Sequence, residues 1–440
     1  MRKKLLSLVL IGGLILSFQA CGKKNEEVIS DMAGAKNTLT VYAWDENFNI
    51  PALKAAEKDY QQVNPNFKLN IVDMKNSDVI EDEIETAYEN KDFSTLPDIV
   101  LFQDHSIQKY VKAYSGSFMS IEDAVVDWDS LGADKVSYSV VNGVHYGFPV
   151  DSGTSIFAYR VDILEECGYT LDDVTGITWD EFDEIGKDVY AKTGKYLISA
   201  VGKDNDLIFM MLQAEGESPF RGDKPYIVGN DKLEMTVETI VKLAEDNVLY
   251  LAENWDDYVG NAIGNDLVAG VYDGNWIISS IETVQANSGK WEITTAPSFT
   301  GDPGYSSNGG SSLCVTSNCK NSMLAKDFLA YTFGGGSAID GSSITYDEAL
   351  LNAGVIGSCV AAAKSDVYTQ GVDYFNGQPI YAKIVEYSQL VPSVEQSDYH
   401  YVCRKYLSEA VLDIIENGTD IGEAIATAEE EYKSAVAPKY

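Results

Sequence analysis

The first half of the chain alternates two kinds of hydrophobic pattern. Short apolar or alternating runs at 39–43, 67–72 and 99–102 are typical of strands. Between them, apolar residues recur every three or four positions, which is typical of helices, as in Leu53, Ala56, Tyr60 and Val63 and again in Ile80, Ile84 and Ala87. Strands separated by helices predict an α/β fold, with a largely parallel sheet and helices on its faces.

The same alternation continues after a break near residue 150. Thr178 and Glu181 form a capping box, so we expect a helix to begin directly after Thr178. Apolar runs at 268–272 and 291–296 predict strands, and the Gly-, Ser- and Pro-rich segment 299–312 predicts a loop. Further helices are predicted at 161–167, around 277–284, and at 323–333, 406–415 and 421–436.

The N-terminus has the pattern of an export signal. Three basic residues, Arg2 to Lys4, precede an apolar run at 5–16 that is too short for a transmembrane helix. Ala20 followed by Cys21 resembles a bacterial lipoprotein signal, which would be residues 1–20, although Phe18 stands where that pattern has Leu. The resemblance implies lipidation of Cys21, with residues 21–37 as a polar tether. The alternative is an ordinary secreted protein with a free thiol at Cys21.

Composition narrows the function classes. The 440 residues carry 32 Lys and Arg against 68 Asp and Glu, a net charge of −36, which would repel nucleic acid. A hydrophobic content of 45% supports sizeable cores, and the roughly 400 residues after the signal suffice for two or three domains. We expect the five cysteines after Cys21 to be small buried apolar residues, and we predict neither a metal nor a cofactor.

Several short segments, read in order, resemble one family. They are LTVYAW at 39–44, LPDIV at 96–100, GVHYGFP at 143–149, VAGVYDGNW at 268–276 and GGSS at 309–312. In this order and spacing the chain resembles the extracellular solute-binding proteins of carbohydrate ABC importers, the family that includes maltose-binding protein. The resemblance covers roughly residues 38 to 436.

The resemblance implies a two-lobed, periplasmic-binding-protein-like α/β fold with a hinge and a ligand cleft between the lobes. The N-terminal lobe would comprise 38–150 plus 297–338, and the C-terminal lobe 151–296 plus 339–440. Periodicity alone does not reveal this discontinuous division.

Candidate ligand-binding residues combine aromatic rings, which cover the C–H faces of a sugar, with groups that bind its hydroxyls. Open α/β sheets bind ligands where strands end and loops begin. The candidates are Trp44, Asp45, Asp104, Asp151, Trp255, Trp276 and Ser311.

Five of the candidates have a structural alternative. Trp44 is also typical of core packing, and Trp276 of packing at the start of a helix. Asp45 and Asp104 are also typical of helix N-caps, and Asp151 of a hinge-stabilising hydrogen bond.

The sequence therefore predicts a binding protein rather than an enzyme. We expect a lipid-anchored monomer on the outer face of the cytoplasmic membrane, which captures a sugar, and most simply an oligosaccharide, by hinge closure and delivers it to a membrane permease. Three alternatives stay open: a secreted glycoside hydrolase, a binding protein for another polar solute, and a surface adhesin without a small ligand.

Overall fold

A computed structural model describes residues 37–44, 46, 48–222, 224–336, 344–352, 354–360 and 365–437. The predicted signal at 1–20, Cys21, the tether up to residue 36 and the candidate Asp45 lie outside the described residues. Within the described part of the chain, no helix combines the length and the apolar character needed to cross a membrane.

The strands and helices follow the chain in the alternating order that the hydrophobic pattern predicts. The strands are β1 Thr38–Ala43, β2 Lys68–Asp73, β3 Ile99–Gln103, β4 Val140–Val141, β5 Val144–His145, β6 Gly147–Pro149, β7 Ser155–Arg160, β8 Ile198–Val201, β9 Phe220–Arg221, β10 Lys224–Pro225, β11 Leu249–Ala252, β12 Gly270–Gly274, β13 Trp291–Thr294 and β14 Ser311–Val315. The helices are α1 Asn49–Tyr60, α2 Ser77–Asn90, α3 Asp104–Ala113, α4 Ala133–Tyr138, α5 Val161–Cys167, α6 Trp179–Thr193, α7 Leu207–Ala214, α8 Asp231–Glu245, α9 Trp255–Asp257, α10 Ile278–Ile281, α11 Ser322–Tyr331, α12 Ile344–Asn352, α13 Asp366–Thr369, α14 Ile380–Ser388, α15 His400–Asn417 and α16 Ile421–Val436.

Several predicted boundaries are confirmed. Helix α5 spans 161–167 and α16 spans 421–436, as the periodicity predicts. The capping box of Thr178 and Glu181 is present at the start of α6. Other elements differ at their ends: α15 extends the predicted 406–415 in both directions, and the helix expected at 277–284 is a 3-10 turn, Asn275–Ile277, followed by α10.

The first lobe is built on a sheet with the strand order β2-β1-β3-β14-β6 in the described residues. Strands β1, β2 and β3 are parallel, whereas β14 runs antiparallel to both β3 and β6. The register pairs Ser311 with Gln103 and Ser312 with both Phe102 and Pro149. One end of the sheet therefore brings together the end of β3, the start of β14 and the segment after β6. This end of the sheet lies next to the candidate site.

The described part of the second lobe contains three small sheets, one of which is the antiparallel pair of β9 and β10. Strand β7 lies between β12 and β13 and is antiparallel to both, while β8 and β11 form a parallel pair. The fully buried rings of Phe157 and Tyr159 stack 4.2 Å apart on β7. Burying a side chain of this size contributes about 1.5–3 kcal/mol, so β7 anchors the core of this lobe.

Helix α12 lies between the two lobes. Leu350 and Val355 pack in the core of the first lobe, whereas Leu351 and Ile356 pack in the core of the second. The predicted boundary between residues 338 and 339 lies outside the described residues and stays a prediction.

The cysteines behave as the sequence indicates. Cys167, Cys314, Cys319, Cys359 and Cys403 are all buried in the cores. Burial raises the pKa of the Cys319 thiol to about 12, so this thiol stays protonated at physiological pH. The predicted burial of these five cysteines is therefore confirmed.

Candidate ligand-binding site

A cleft of about 670 Å³ lies where the strand ends of the first lobe face the loops of the second. This volume falls within the range of roughly 300–1,000 Å³ that is typical of small-molecule sites. Five of the seven candidates line it: Trp44, Asp151, Trp255, Trp276 and Ser311.

Two tryptophans of the second lobe form an aromatic wall. The ring centroids of Trp255 and Trp276 are 5.5 Å apart with an interplanar angle of 50°. Trp276 is fixed by its Nε1, which donates a 3.0 Å hydrogen bond to the carbonyl of Asn308. Trp255 is 46% exposed, which is unusual for so large an apolar side chain and leaves its ring available to a ligand.

The local sequence explains how these rings are held. A Cβ on residue 274 would lie 2.2 Å from Nε1 of Trp276, so only glycine fits between the strand β12 and the indole. Trp255 begins α9 because the side chain of Asn254 caps that helix by accepting from the Asp257 N–H at 3.0 Å. The exposed Trp255 is therefore presented by a well-capped turn.

Asp151 is fully buried and lies at the crossing between the lobes. Its Oδ1 accepts hydrogen bonds from the Ser311 N–H at 2.8 Å and from the Ser311 hydroxyl at 3.3 Å. Its backbone carbonyl accepts from the Ser358 hydroxyl at 2.7 Å. Its Oδ2 makes no hydrogen bond with the described part of the chain. One oxygen of this carboxylate therefore holds the loop, and the other is buried in the wall of the cleft with unused acceptor capacity.

Asp104 lies beneath the cleft and does not line it. Its carboxylate forms a buried ion pair with Lys135 and accepts a 2.8 Å hydrogen bond from the Ser312 hydroxyl. Burial raises the pKa of Asp104 to about 6, so the carboxyl is ionised beside Lys135 at neutral pH. The sequence predicts that Asp104 contacts a ligand, whereas the structure places its side chain beneath the wall of the cleft, which it supports. Its side chain does not cap α3 either, since residue 103 is the N-cap.

Gly310 allows this buried pair to form. A Cβ at this position would meet the Lys135 amine and Asp104 Oδ2, and the backbone has a φ of +106°. Glycine adopts that conformation without strain, whereas other residues do not. The GGSS segment thus brings the loop backbone close to the cleft.

Trp44 contacts both the cleft and the core of the first lobe. It follows β1, lines the cleft and also packs against the two apolar clusters of the first lobe. The two interpretations of Trp44, ligand contact and core packing, are therefore compatible with one position.

A polar group that the sequence does not single out faces the aromatic wall. Arg404 on α15 donates to Asp206 at 2.8 Å and to Asp204 at 3.3 Å, and its guanidinium lies 4.7 Å from the centroid of the Tyr401 ring. Asp206, Tyr401 and Arg404 all line the cleft. No local pattern marks Arg404, because it stands within an ordinary amphipathic helix almost 200 residues from its partner.

Comparisons with known proteins identify the family of this chain. The family model for bacterial extracellular solute-binding proteins matches residues 55–344. The chain belongs to this family. The lactose-binding protein of Rhizobium radiobacter is 32% identical over 370 residues, which cover 83% of this chain and 86% of that protein.

Solved structures of solute-binding proteins show the same fold. A binding protein of an ABC transporter from B. animalis subsp. lactis Bl-04, in complex with β-1,6-galactobiose, has a TM-score of 0.72 at 20% identity and covers 91% of this chain and 97% of its own. The GacH receptor of Streptomyces glaucescens, solved unliganded and with acarbose, has a TM-score of 0.71 at 15% identity and covers 90% and 97%. The predicted two-lobed fold of an extracellular solute-binding protein is confirmed.

Proposed function

We propose that this solute-binding protein captures an oligosaccharide in the cleft and delivers it to the permease of an ABC importer. The observation that carries the proposal is the pairing of Trp255 and Trp276 on one side of the cleft with Asp151 and the Arg404–Asp206 pair on others. A sugar ring presents both an apolar C–H face and a rim of hydroxyls, which this combination of groups binds.

The polar groups also provide selectivity. Asp151 Oδ2 is buried without a hydrogen-bond partner in the described chain, and leaving such an oxygen without a hydrogen bond costs stability. A ligand hydroxyl at that oxygen removes the cost, whereas an analogue without the hydroxyl leaves the oxygen unpaired when the site closes. The site thus favours polyhydroxylated ligands over apolar ones of the same size.

Galactosides are the first ligands to test. The relative that shares 32% identity across most of the chain is a lactose-binding protein. A structural neighbour holds β-1,6-galactobiose, although its 20% identity supports only the fold. We therefore propose a β-galactoside of two or more sugar units as the substrate class.

Binding by hinge closure completes the proposal. The N-terminal lobe would comprise 38–150 plus 297–338 and the C-terminal lobe 151–296 plus 339–440, with Asp151 at a crossing between them. Closure excludes water from the cleft and strengthens its hydrogen bonds. The protein would act as a monomer without catalysis, anchored through a lipid on Cys21 to the outer face of the cytoplasmic membrane.

A thermal-shift screen against mono- and oligosaccharides tests this function. A ligand that binds only the folded state raises the melting temperature by mass action. We expect lactose or another β-galactoside to raise it and to be recovered intact. Recovery of cleaved sugar would replace the binding function with hydrolysis. The absence of any shift across the panel would remove sugars as the substrate class.

A further inference from the structure

A second cavity, of about 250 Å³, adjoins the cleft inside the second lobe. Trp255, Asp206 and Arg404 line both spaces and so form the boundary between them. We call the smaller space the side chamber. It lies just below the size range of roughly 300–1,000 Å³ for complete small-molecule sites, so it suits one part of a ligand that also occupies the cleft.

Ser199 is a buried residue in the wall of the side chamber. The residue is 2% exposed, lies on β8 and lines the chamber. Its Oγ makes no hydrogen bond with any residue that the structure describes. Buried hydroxyls are normally hydrogen-bonded, so this one keeps unused hydrogen-bonding capacity in the wall of the chamber.

Asp273 adds a carboxylate to the same space. Its Oδ2 accepts from the Tyr258 hydroxyl at 3.0 Å, and its Oδ1 accepts from the Asn308 amide at 2.7 Å. Oδ1 also accepts from the Gly274 N–H at 2.8 Å. These three bonds fix the carboxylate and leave one lone pair of Oδ2 as an acceptor, because each oxygen has two lone pairs. Burial raises the pKa of Asp273 to about 7, so near neutral pH it can either accept or donate a bond.

The remaining walls supply aromatic and apolar surface. Tyr258, Tyr272 and Met210 line the chamber. Tyr272 is already satisfied by a 2.6 Å hydrogen bond with the Ser306 hydroxyl, so it presents mainly its ring. The chamber therefore repeats at smaller scale the combination found in the cleft, with aromatic rings beside fixed polar groups. Cavities with such polar walls hold polar molecules, whereas dry cavities in proteins are apolar.

We propose that the side chamber is a second sugar subsite, which takes the terminal ring of a di- or oligosaccharide while the adjoining ring lies against Trp276 in the cleft. This inference rests on the proposed function and extends it. The saccharide passes Trp255 and the Arg404–Asp206 pair, where guanidinium and carboxylate bind its hydroxyls. The bound ligand then has at least two units, and its terminal ring bonds to Ser199 and Asp273.

The first test is a crystal structure of the wild-type protein with lactose or β-1,6-galactobiose, whichever the screen identifies. The expected result is a sugar ring in the side chamber, with a hydroxyl within hydrogen-bond distance of Ser199 Oγ or Asp273. Two rings confined to the cleft, with only water in the chamber, would overturn the subsite and leave the proposed function intact. Failure of every saccharide to bind would remove both.

Variants at Ser199 provide the second test. Ser199→Leu fills the chamber, and we expect it to weaken disaccharide binding at least tenfold in calorimetry. Ser117→Leu is the matched control, because Ser117 is also fully buried with an Oγ unpaired within the described chain but lies outside both cavities. If Ser199→Leu does not fold, Ser199→Ala keeps the chamber open and should weaken binding several-fold. Unchanged disaccharide affinity in a folded Ser199 variant contradicts the proposal.

Discussion

The imidazole rings of His105 and His400 stack face to face, with centroids 3.6 Å apart and planes inclined by 4°. His105 lies on α3 of the first lobe and His400 begins α15 of the second, so the pair joins the lobes beside the cleft. Phe209 and Tyr138 pack around it. Burial, with the positive charges of Lys135 and Arg404, lowers the pKa of His105 to about 3. Burial, His105 and Arg404 lower the pKa of His400 well below its ordinary value.

This pair makes stability depend on pH. Below about pH 6.5 the unfolded chain protonates both imidazoles while the folded protein does not, so these histidines reduce stability as pH falls from 7 to 5. The expected loss is about 1–2 kcal/mol for each ring. Asp104 and Asp273 act in the opposite direction, because their raised pKa values make the folded state take up protons first.

A double variant separates the contribution of the two histidines to the pH dependence of stability from that of the two carboxyls. The double substitution His105→Gln and His400→Gln removes the imidazoles and leaves both carboxyls. Denaturant unfolding at pH 7, 6 and 5 should show that the wild type loses more free energy of unfolding than the variant. Parallel curves for the two proteins would contradict a neutral buried pair.

Removal of the Trp276 indole, which a hydrogen bond holds in place, should abolish most of the sugar affinity. For Trp276→Ala we expect at least a tenfold rise in Kd, because the ring is the hydrogen-bonded half of the aromatic wall. Trp128→Ala is the matched control: Trp128 stacks on His145 with centroids 4.0 Å apart and does not line the cleft. Calorimetry on both variants checks the prediction, and equal losses would indicate a general effect on folding.

The unpaired oxygen of Asp151 leads to a third prediction. Asp151→Asn keeps an acceptor for the Ser311 N–H but replaces the other carboxylate oxygen with an amide. We expect the Kd to rise about tenfold or more, since hydrogen bonds to charged groups are worth about 1.5–3 kcal/mol. Asp183→Asn is the control, because Asp183 is a buried carboxylate paired with Lys187 and Lys242 outside the cleft. An affinity change in the control alone would contradict the assignment.

The buried Asp104–Lys135 pair should matter for stability more than for binding. Lys135→Met leaves the carboxylate of Asp104 buried without its charge partner, which typically costs about 3–5 kcal/mol. Adding Asp104→Leu removes the orphaned charge and should restore part of that loss. Chemical denaturation of the single and double variants checks this. A double variant less stable than Lys135→Met would contradict the proposed electrostatic origin.

Strand ends led to part of the lining of the cleft. Trp44 and Ser311 line it because they lie next to strands of one sheet. The same reasoning placed Asp104 incorrectly in the cleft. Its position after β3 is at the expected edge, but the side chain faces Lys135 and Ser312 beneath the surface, and a strand-end position alone does not fix that direction.

The sequence by itself determined what depends on near neighbours. Examples are the periodicity of α5 and α16, the capping box of α6 and Gly274, two residues before Trp276. These features act over a few residues, so the local sequence contains them. Only the tertiary structure decided that β14 inserts between β3 and β6, and that Arg404 meets Asp206 from 198 residues away. Such contacts depend on strand register and helix packing between distant segments, and local hydrophobic patterns leave both undetermined.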